Sequence, residues 1–238
     1  MNIKKTTKIY EGKAKIIYNT NDEDYLIQYF KDDATAFNAQ KKSSINNKGI
    51  LNNKISEILM KHITNNSDVP CHFIERIDER HQIIKKLDII ELEIIIRNYS
   101  AGSLAKRLNI KEGVKFDNVV FELCYKNDAL NDPLINDDHA INVLNLLSKS
   151  ELDQIKKYSF QINKILSDIF ILTNIKLVDF KIEFGRDKYN NIILADEISP
   201  DSCRLWDITS NKKLDKDIFR QDLGDLASAY EEVLKRLS

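Results

Sequence analysis

From Val178 to Phe184 the chain alternates without a break: Val178, Phe180, Ile182 and Phe184 are apolar, and Asp179, Lys181 and Glu183 are charged. In a strand these two sets point to opposite faces. One face must pack a core, and the other must hold an acid, a base and an acid in a row. Ile192 to Glu197 supplies a second arm, so Leu177 to Asp207 reads as a β-hairpin with chemistry on one face. A turn centred near Tyr189-Asn190 sets Asp196 opposite Glu183. Two carboxylates that close repel unless a proton or a cation lies between them. A divalent metal is the natural candidate.

The 238 residues can bury a core in one large domain or two small ones. A net charge of −1 provides no overall field toward nucleic acid or a membrane surface. Cys71, Cys124 and Cys203 are scattered, with neither metal spacing nor a disulfide framework, which points to a reducing, cytoplasmic setting. The first eighteen residues lack the apolar stretch of a signal peptide. No apolar run is long enough to span a bilayer.

The first half reads as β-rich. Lys8 to Tyr10, the Glu11-Gly12 turn and Lys13 to Tyr18 form strand, turn, strand. Tyr25 to Phe30, Phe73 to Ile77 and Gln82 to Leu87 read as further strands. Ile89 to Arg97 is apolar and β-branched, a buried strand that delivers Arg97 at its end. Leu51, Ile55, Ile58, Leu59 and Ile63 mark a helix over Gly49 to Thr64. Later helices are expected over Ser100 to Leu108, Asp137 to Leu147, Ser150 to Thr173 and Asp217 to Leu237. Ser150 to Asp153 reads as the capping box of the third, and Leu223, Leu226, Tyr230, Val233 and Leu237 as the buried stripe of the last. The fold class is α+β. Residues 1–88 make a β-rich lobe and 89–238 a mixed lobe.

Several motifs carry chemistry. Gly12 lets backbone approach a phosphate, with Ala14 beside it and Lys13 and Lys15 on one strand face. An ordinary hairpin with solvated lysines is the plain alternative. Arg97 and Ser103 stand where a buried strand passes into a helix, which suits an anion as well as a simple helix cap. Asp196 to Asp207 is dense in acids and then turns to Arg204 and Trp206. Carboxylates ending a buried strand need partners, which favours a functional site over a solvated loop. Lys126 to Pro133 reads equally as turn chemistry or a ligand contact. The four histidines show no ligand spacing.

Together the motifs resemble the SAICAR synthetase family. The matching runs are YEGKAKIIY at Tyr10, KDDATAFNA at Lys31, KGILNNKIS at Lys48, IIIRNYSAGSLAKRL at Ile94 and YKNDALNDP at Tyr125. LVDFKIEFG at Leu177, ADEISPDSCRLWD at Ala195 and FRQDLG at Phe219 complete them. The resemblance implies a two-lobed, ATP-grasp-like fold with nucleotide held between the β-rich lobe and the larger lobe. It also implies a ligase: ATP phosphorylates the carboxylate of carboxyaminoimidazole ribotide (CAIR), and the amine of L-aspartate attacks the acyl phosphate to give SAICAR.

Carried over residue by residue, Glu183 and Asp196 hold Mg²⁺ against ATP. Gly12, Lys13, Ala14 and Lys15 meet the phosphates, and Lys85, Leu87 and Glu91 border the adenine. Glu91 stands where such families often carry proline. Arg97, Ser103, Arg204 and Arg220 bind the ribotide. Asp179 and Lys181 take the catalytic positions on the same face as Glu183. Lys126 and Asp128 are candidates for gripping aspartate. Neither nucleic acid nor membrane is an expected partner, and a homodimer is the expected assembly. A small-molecule kinase of related two-lobed build is the alternative; it shares the lysines and carboxylates but needs no ribotide set.

Overall fold

The alternating stretch runs through the middle of a seven-stranded sheet. The computed structural model describes residues 2–36 and 41–238, so Phe37 to Ala39 of the run at Lys31 lie outside the described residues. In chain order come β1 (Lys5–Glu11), β2 (Lys15–Thr20), β3 (Tyr25–Phe30), β4 (Asp33–Ala36), β5 (Lys41–Ser44), α1 (Lys48–Asn66), β6 (Phe73–Arg76), β7 (His81–Lys85), β8 (Asp88–Ile89), β9 (Leu92–Tyr99) and α2 (Gly102–Leu108). They are succeeded by β10 (Lys115–Tyr125), β11 (Leu134–Ile135), α3 (Lys149–Leu172), β12 (Ile175–Arg186), β13 (Ile192–Ala195), β14 (Cys203–Asp207), α4 (Asp217–Arg220) and α5 (Leu226–Leu237).

The first half forms a five-stranded antiparallel sheet in the order β1-β2-β3-β7-β6. The second half forms the larger sheet, β11-β10-β9-β12-β13, with β14 and β8 also paired to β12. Along β12 the apolar set Phe180, Ile182 and Phe184 is fully buried. Each such side chain contributes about 1.5–3 kcal/mol by leaving water. That anchors the register, because a slip of one residue would turn Asp179, Lys181 and Glu183 into the core. α3 packs across the apolar face of β12 and β9, and α1 crosses from the first half to pack on α3 and α5. A single core cluster therefore includes residues from both halves. The sheets also join directly: Leu194 N donates to Pro70 O at 2.8 Å, and His72 N donates to Leu194 O at 2.9 Å.

Four expectations change. The strand expected over Ile89 to Arg97 is broken between β8 and β9. Ile90 N donates to Phe184 O and Glu91 O accepts from Lys126 N, so these two residues leave the regular ladder. The helix over Asp137 to Leu147 is one wide turn, His139–Val143, with Asn145 beyond it in a left-handed conformation at φ 51°. The capping box of α3 begins at Ser148, with Glu151 as its partner, two residues before the expected position. The last helix is split into α4 and α5, because Asp222 and Gly224 between them have φ of 54° and 136°. Leu223 consequently lies exposed rather than in the buried stripe. Strand β10 has no counterpart among the expected elements.

Candidate active site

A cleft of about 1510 Å³ opens between the two sheets. Its lining includes Gly12, Lys13, Ala14 and Lys15 from the β1–β2 turn, and Lys85, Leu87 and Glu91 from the crossing between the halves. Arg97, Ser103, Asp179, Lys181, Glu183, Asp196, Arg204 and Arg220 line the rest. The structure thus brings every sequence-predicted site residue to one place.

The hairpin register differs by one residue from expectation: Glu183 lies opposite Ala195. Asp196 comes directly after the strand in a left-handed conformation, φ 64°. Its carboxylate still reaches the surroundings of Glu183, because Lys181 lies between them. Lys181 Nζ is 2.8 Å from Glu183 Oε1, 3.6 Å from Asp196 Oδ2 and 2.9 Å from Glu93 Oε1. Lys126 pairs with the other Glu183 oxygen, and Lys15 pairs with Asp196 and Glu197. Burial alone would raise the Glu183 carboxyl, but the charges of Lys181 and Lys126 outweigh it and hold it down at about 2. Burial also opposes charge on Glu197, and Lys15 reverses that, leaving it below the usual carboxylate range. Burial works against the Lys181 ammonium too, yet Glu183 and Glu93 hold its proton more firmly than usual.

These residues fit a divalent cation. Glu183 and Asp196 are hard oxygen donors with oxygens within 3.6 Å of one cationic point. Among the described residues no group of three or more His, Cys, Asp or Glu side chains is placed to cage a metal. Mg²⁺ is characteristically held by one or two carboxylates, with phosphates and water completing the shell.

Lys13 and Lys15 do not share a face. Gly12 N donates to Lys15 O at 2.8 Å, so Lys13 sits in the turn and leaves the strand alternation. It reaches out to Asp128 at 2.7 Å and is half exposed, whereas Lys15 points into the cleft.

The second cluster is built across three strands. Asp179 on β12 is flanked by Arg97 on β9 and Arg204 on β14 as direct register partners. Arg97, 1% exposed, donates to Asp179 at 2.7 Å, to Glu122 at 2.7 Å and to Ser103 Oγ at 3.3 Å. Arg204 donates to Asp179 at 2.9 and 3.0 Å and to Asp217 at 2.8 Å. Arg220 meets the other Asp217 oxygen at 2.6 Å. A Cβ on Gly102 would lie 2.4 Å from Arg204 Nη2, and Gly102 has φ 56°, so only glycine lets α2 start this close. Three guanidiniums therefore converge on this end of the cleft, held in place by Asp179, Asp217 and Glu122.

Several residues in the site or directly behind it escape sequence reasoning. Lys48 is fully buried at the start of α1 and pairs with Asp201, which also accepts from Tyr230 Oη at 2.7 Å. Lys216 lines the cleft, and its ammonium is disfavoured by burial first. His72 is buried, with Nε2 2.9 Å from the carbonyl of Asp196. Burial, then the Lys15 charge, pushes its imidazole down to about 3, so it is neutral. Glu93 and Glu197 stand close to predicted residues and are signalled by the need of a buried charge for a partner; Lys48 and His72 carry no local signal.

Comparison with known proteins bears on this geometry. Residues 8–237 match the family model described as SAICAR synthetase. The chain belongs to the SAICAR synthetase family. A phosphoribosylaminoimidazole-succinocarboxamide synthase of Clostridium novyi is 52% identical over 230 residues, 97% of each chain. The crystal structure of the synthase of that name from Ehrlichia chaffeensis has a TM-score of 0.94 at 48% identity, covering 97% of this chain and 98% of that one. A SAICAR synthetase solved in complex with ADP has a TM-score of 0.93 at 47% identity, covering 96% and 97%. The two-lobed α+β architecture expected from the resemblance is thus that of SAICAR synthetases, and Glu183, Asp196 and the Arg97–Asp179–Arg204 triplet sit within the matched span.

Proposed function

We propose that Glu183 and Asp196 hold Mg²⁺ on ATP at one end of β12, while Arg97, Ser103, Arg204 and Arg220 hold the phosphate of CAIR at the other. As a member of its family the chain is an ATP-dependent carbon–nitrogen ligase of purine biosynthesis, joining CAIR to L-aspartate. The observation that carries the residue assignment is the charged face of β12. Asp179, Lys181 and Glu183 stand about 7 Å apart at each step, and they link the arginine cluster to the paired carboxylates.

Phosphoryl transfer needs positioning and charge neutralisation more than covalent chemistry. Mg²⁺ held by Glu183 and Asp196 would neutralise charge on the ATP phosphates. Lys15 and Lys13 approach the same phosphates from the Gly12 turn, and Lys181 stays cationic between the two sites. Lys85, Leu87 and Glu91 border the base, so residues 1–88 serve as the nucleotide lobe and 89–238 carry the metal and ribotide sites. The CAIR carboxylate attacks the terminal phosphorus, ADP leaves, and the aspartate amine then displaces phosphate from the acyl phosphate. Lys126, which pairs with Glu183, and Asp128, which pairs with Lys13, are the candidates for gripping aspartate. The cleft must exclude water while the acyl phosphate persists. A homodimer in the cytoplasm completes the proposal, and sedimentation velocity reports the first part.

ADP formation from ATP, Mg²⁺ and CAIR, with and without aspartate, separates ligase from kinase. Sustained ADP turnover that ignored aspartate would sink the ligase reading, because beyond a first round the acyl phosphate must be consumed by aspartate. Asp196→Asn should cut turnover severely and be partly restored by raised Mg²⁺; full activity at low Mg²⁺ would remove Asp196 from the metal site.

A further inference from the structure

We propose that His72 is a positioning residue that aims the Asp196 carboxylate into the cleft by holding the Asp196 carbonyl. The inference rests on the assignment of Asp196 to the metal. Asp196 has φ 64°, a left-handed conformation that aspartate tolerates at modest cost and that turns its carbonyl away from the β13 ladder. It is the first residue beyond β13, so no ladder hydrogen bond constrains its carbonyl. His72 Nε2 lies 2.9 Å from that oxygen. A carbonyl only accepts, so Nε2 carries the proton and the ring is the Nε2–H tautomer.

His72 is itself pinned on two sides. Its N–H donates to Leu194 O at 2.9 Å on β13, and its carbonyl accepts from Lys85 N at 2.7 Å on β7. The side chain is buried. One residue thus ties the strand that leads to the Asp196 turn to the strand that ends at Lys85. Peptide orientation at Asp196 is set by the imidazole, and carboxylate direction by the peptide. Groups that orient a metal ligand in this way commonly change metal affinity 10–100-fold when removed.

The test measures ADP binding by titration calorimetry across a Mg²⁺ series, in wild type, His72→Leu, His72→Gln and Asp196→Asn. His72→Leu loses the donor and should raise the Mg²⁺ needed for half-maximal enhancement of ADP binding about tenfold or more. His72→Gln keeps an N–H donor and should restore most of that shift. Affinity for CAIR should stay within about twofold in both, a split that general loosening of the fold would not produce. If Asp196→Asn shifts the Mg²⁺ dependence and His72→Leu does not, the role of His72 is overturned. If Asp196→Asn shifts nothing, the metal assignment fails, and this inference with it. Nitrogen-15 chemical shifts of the intact wild-type protein give a check that needs no variant: an Nδ1–H tautomer at His72 overturns the proposal.

Discussion

β1 and β12 both line the cleft, yet they are built on opposite terms. Every residue of β1 is exposed, whereas nine of twelve in β12 are buried. The β1–β2 turn presents Lys13 on an exposed pair with Asp128. β12 presents Asp179 between two arginines and Glu183 between two lysines, with both carboxylates largely out of solvent. A buried ionic face cannot rearrange cheaply, because any charge left alone there bears the full desolvation penalty. An exposed hairpin can shift with little loss. The difference separates a floor whose charges are fixed before a ligand arrives from an exposed strand and turn that Lys15 ties to it.

Three substitutions probe that contrast, in order of expected effect. Asp179→Ala leaves Arg97 and Arg204 facing each other and should lower unfolding free energy by about 3–5 kcal/mol, measured by chemical denaturation. A loss below about 1 kcal/mol would mean the floor is not built on this pair.

Asp215 tests the same frame by pH. Its carboxyl accepts from Leu205 N and Asp217 N. Burial first, then the Asp217 charge, raises it to about 7 from an ordinary 3.8. The folded protein holds that proton more tightly than the unfolded chain. The contribution is therefore full below about pH 4 and is lost as pH rises through 7. Asp215→Asn should flatten the fall in stability between pH 5 and 8 by about 1–3 kcal/mol. An unchanged slope in denaturation curves would remove Asp215 from the account.

Lys13→Ala is the smallest. It breaks only an exposed pair, so stability should move by less than about 1 kcal/mol, while KM for ATP rises with little change in KM for CAIR. Strong destabilisation would show that the hairpin belongs to the floor after all.

How much is legible in the sequence varies with range. The β12 pattern is local, and burial of alternate side chains makes it unambiguous, so strand, faces and charged row can be read from seven residues. β3 matches residue for residue. The Arg97–Asp179–Arg204 triplet can be anticipated as cleft residues, but its mutual pairing depends on β9, β12 and β14 lying side by side. The one-residue offset between Glu183 and Asp196 arises because the turn centres on Tyr189 rather than between Tyr189 and Asn190, a half-step that residue types alone do not fix, and Asn190 adopts φ 62°. The split of the last helix escapes because Asp222 and Gly224 break a periodicity that otherwise continues through Leu223 and Leu226.

The sequence by itself determined which side chains must be buried and which charged groups must therefore find partners. That is a matter of periodicity and of the cost of an unpaired charge. It also carried, in the order of its motifs, the family to which the chain belongs. Only the tertiary structure decided who pairs with whom: Lys181 with both Glu183 and Asp196, Lys48 with Asp201, and His72 with the backbone of Asp196. Those contacts join residues from 2 to 153 positions apart, and their energies depend on distance and burial, which exist only once the sheets have closed on one another.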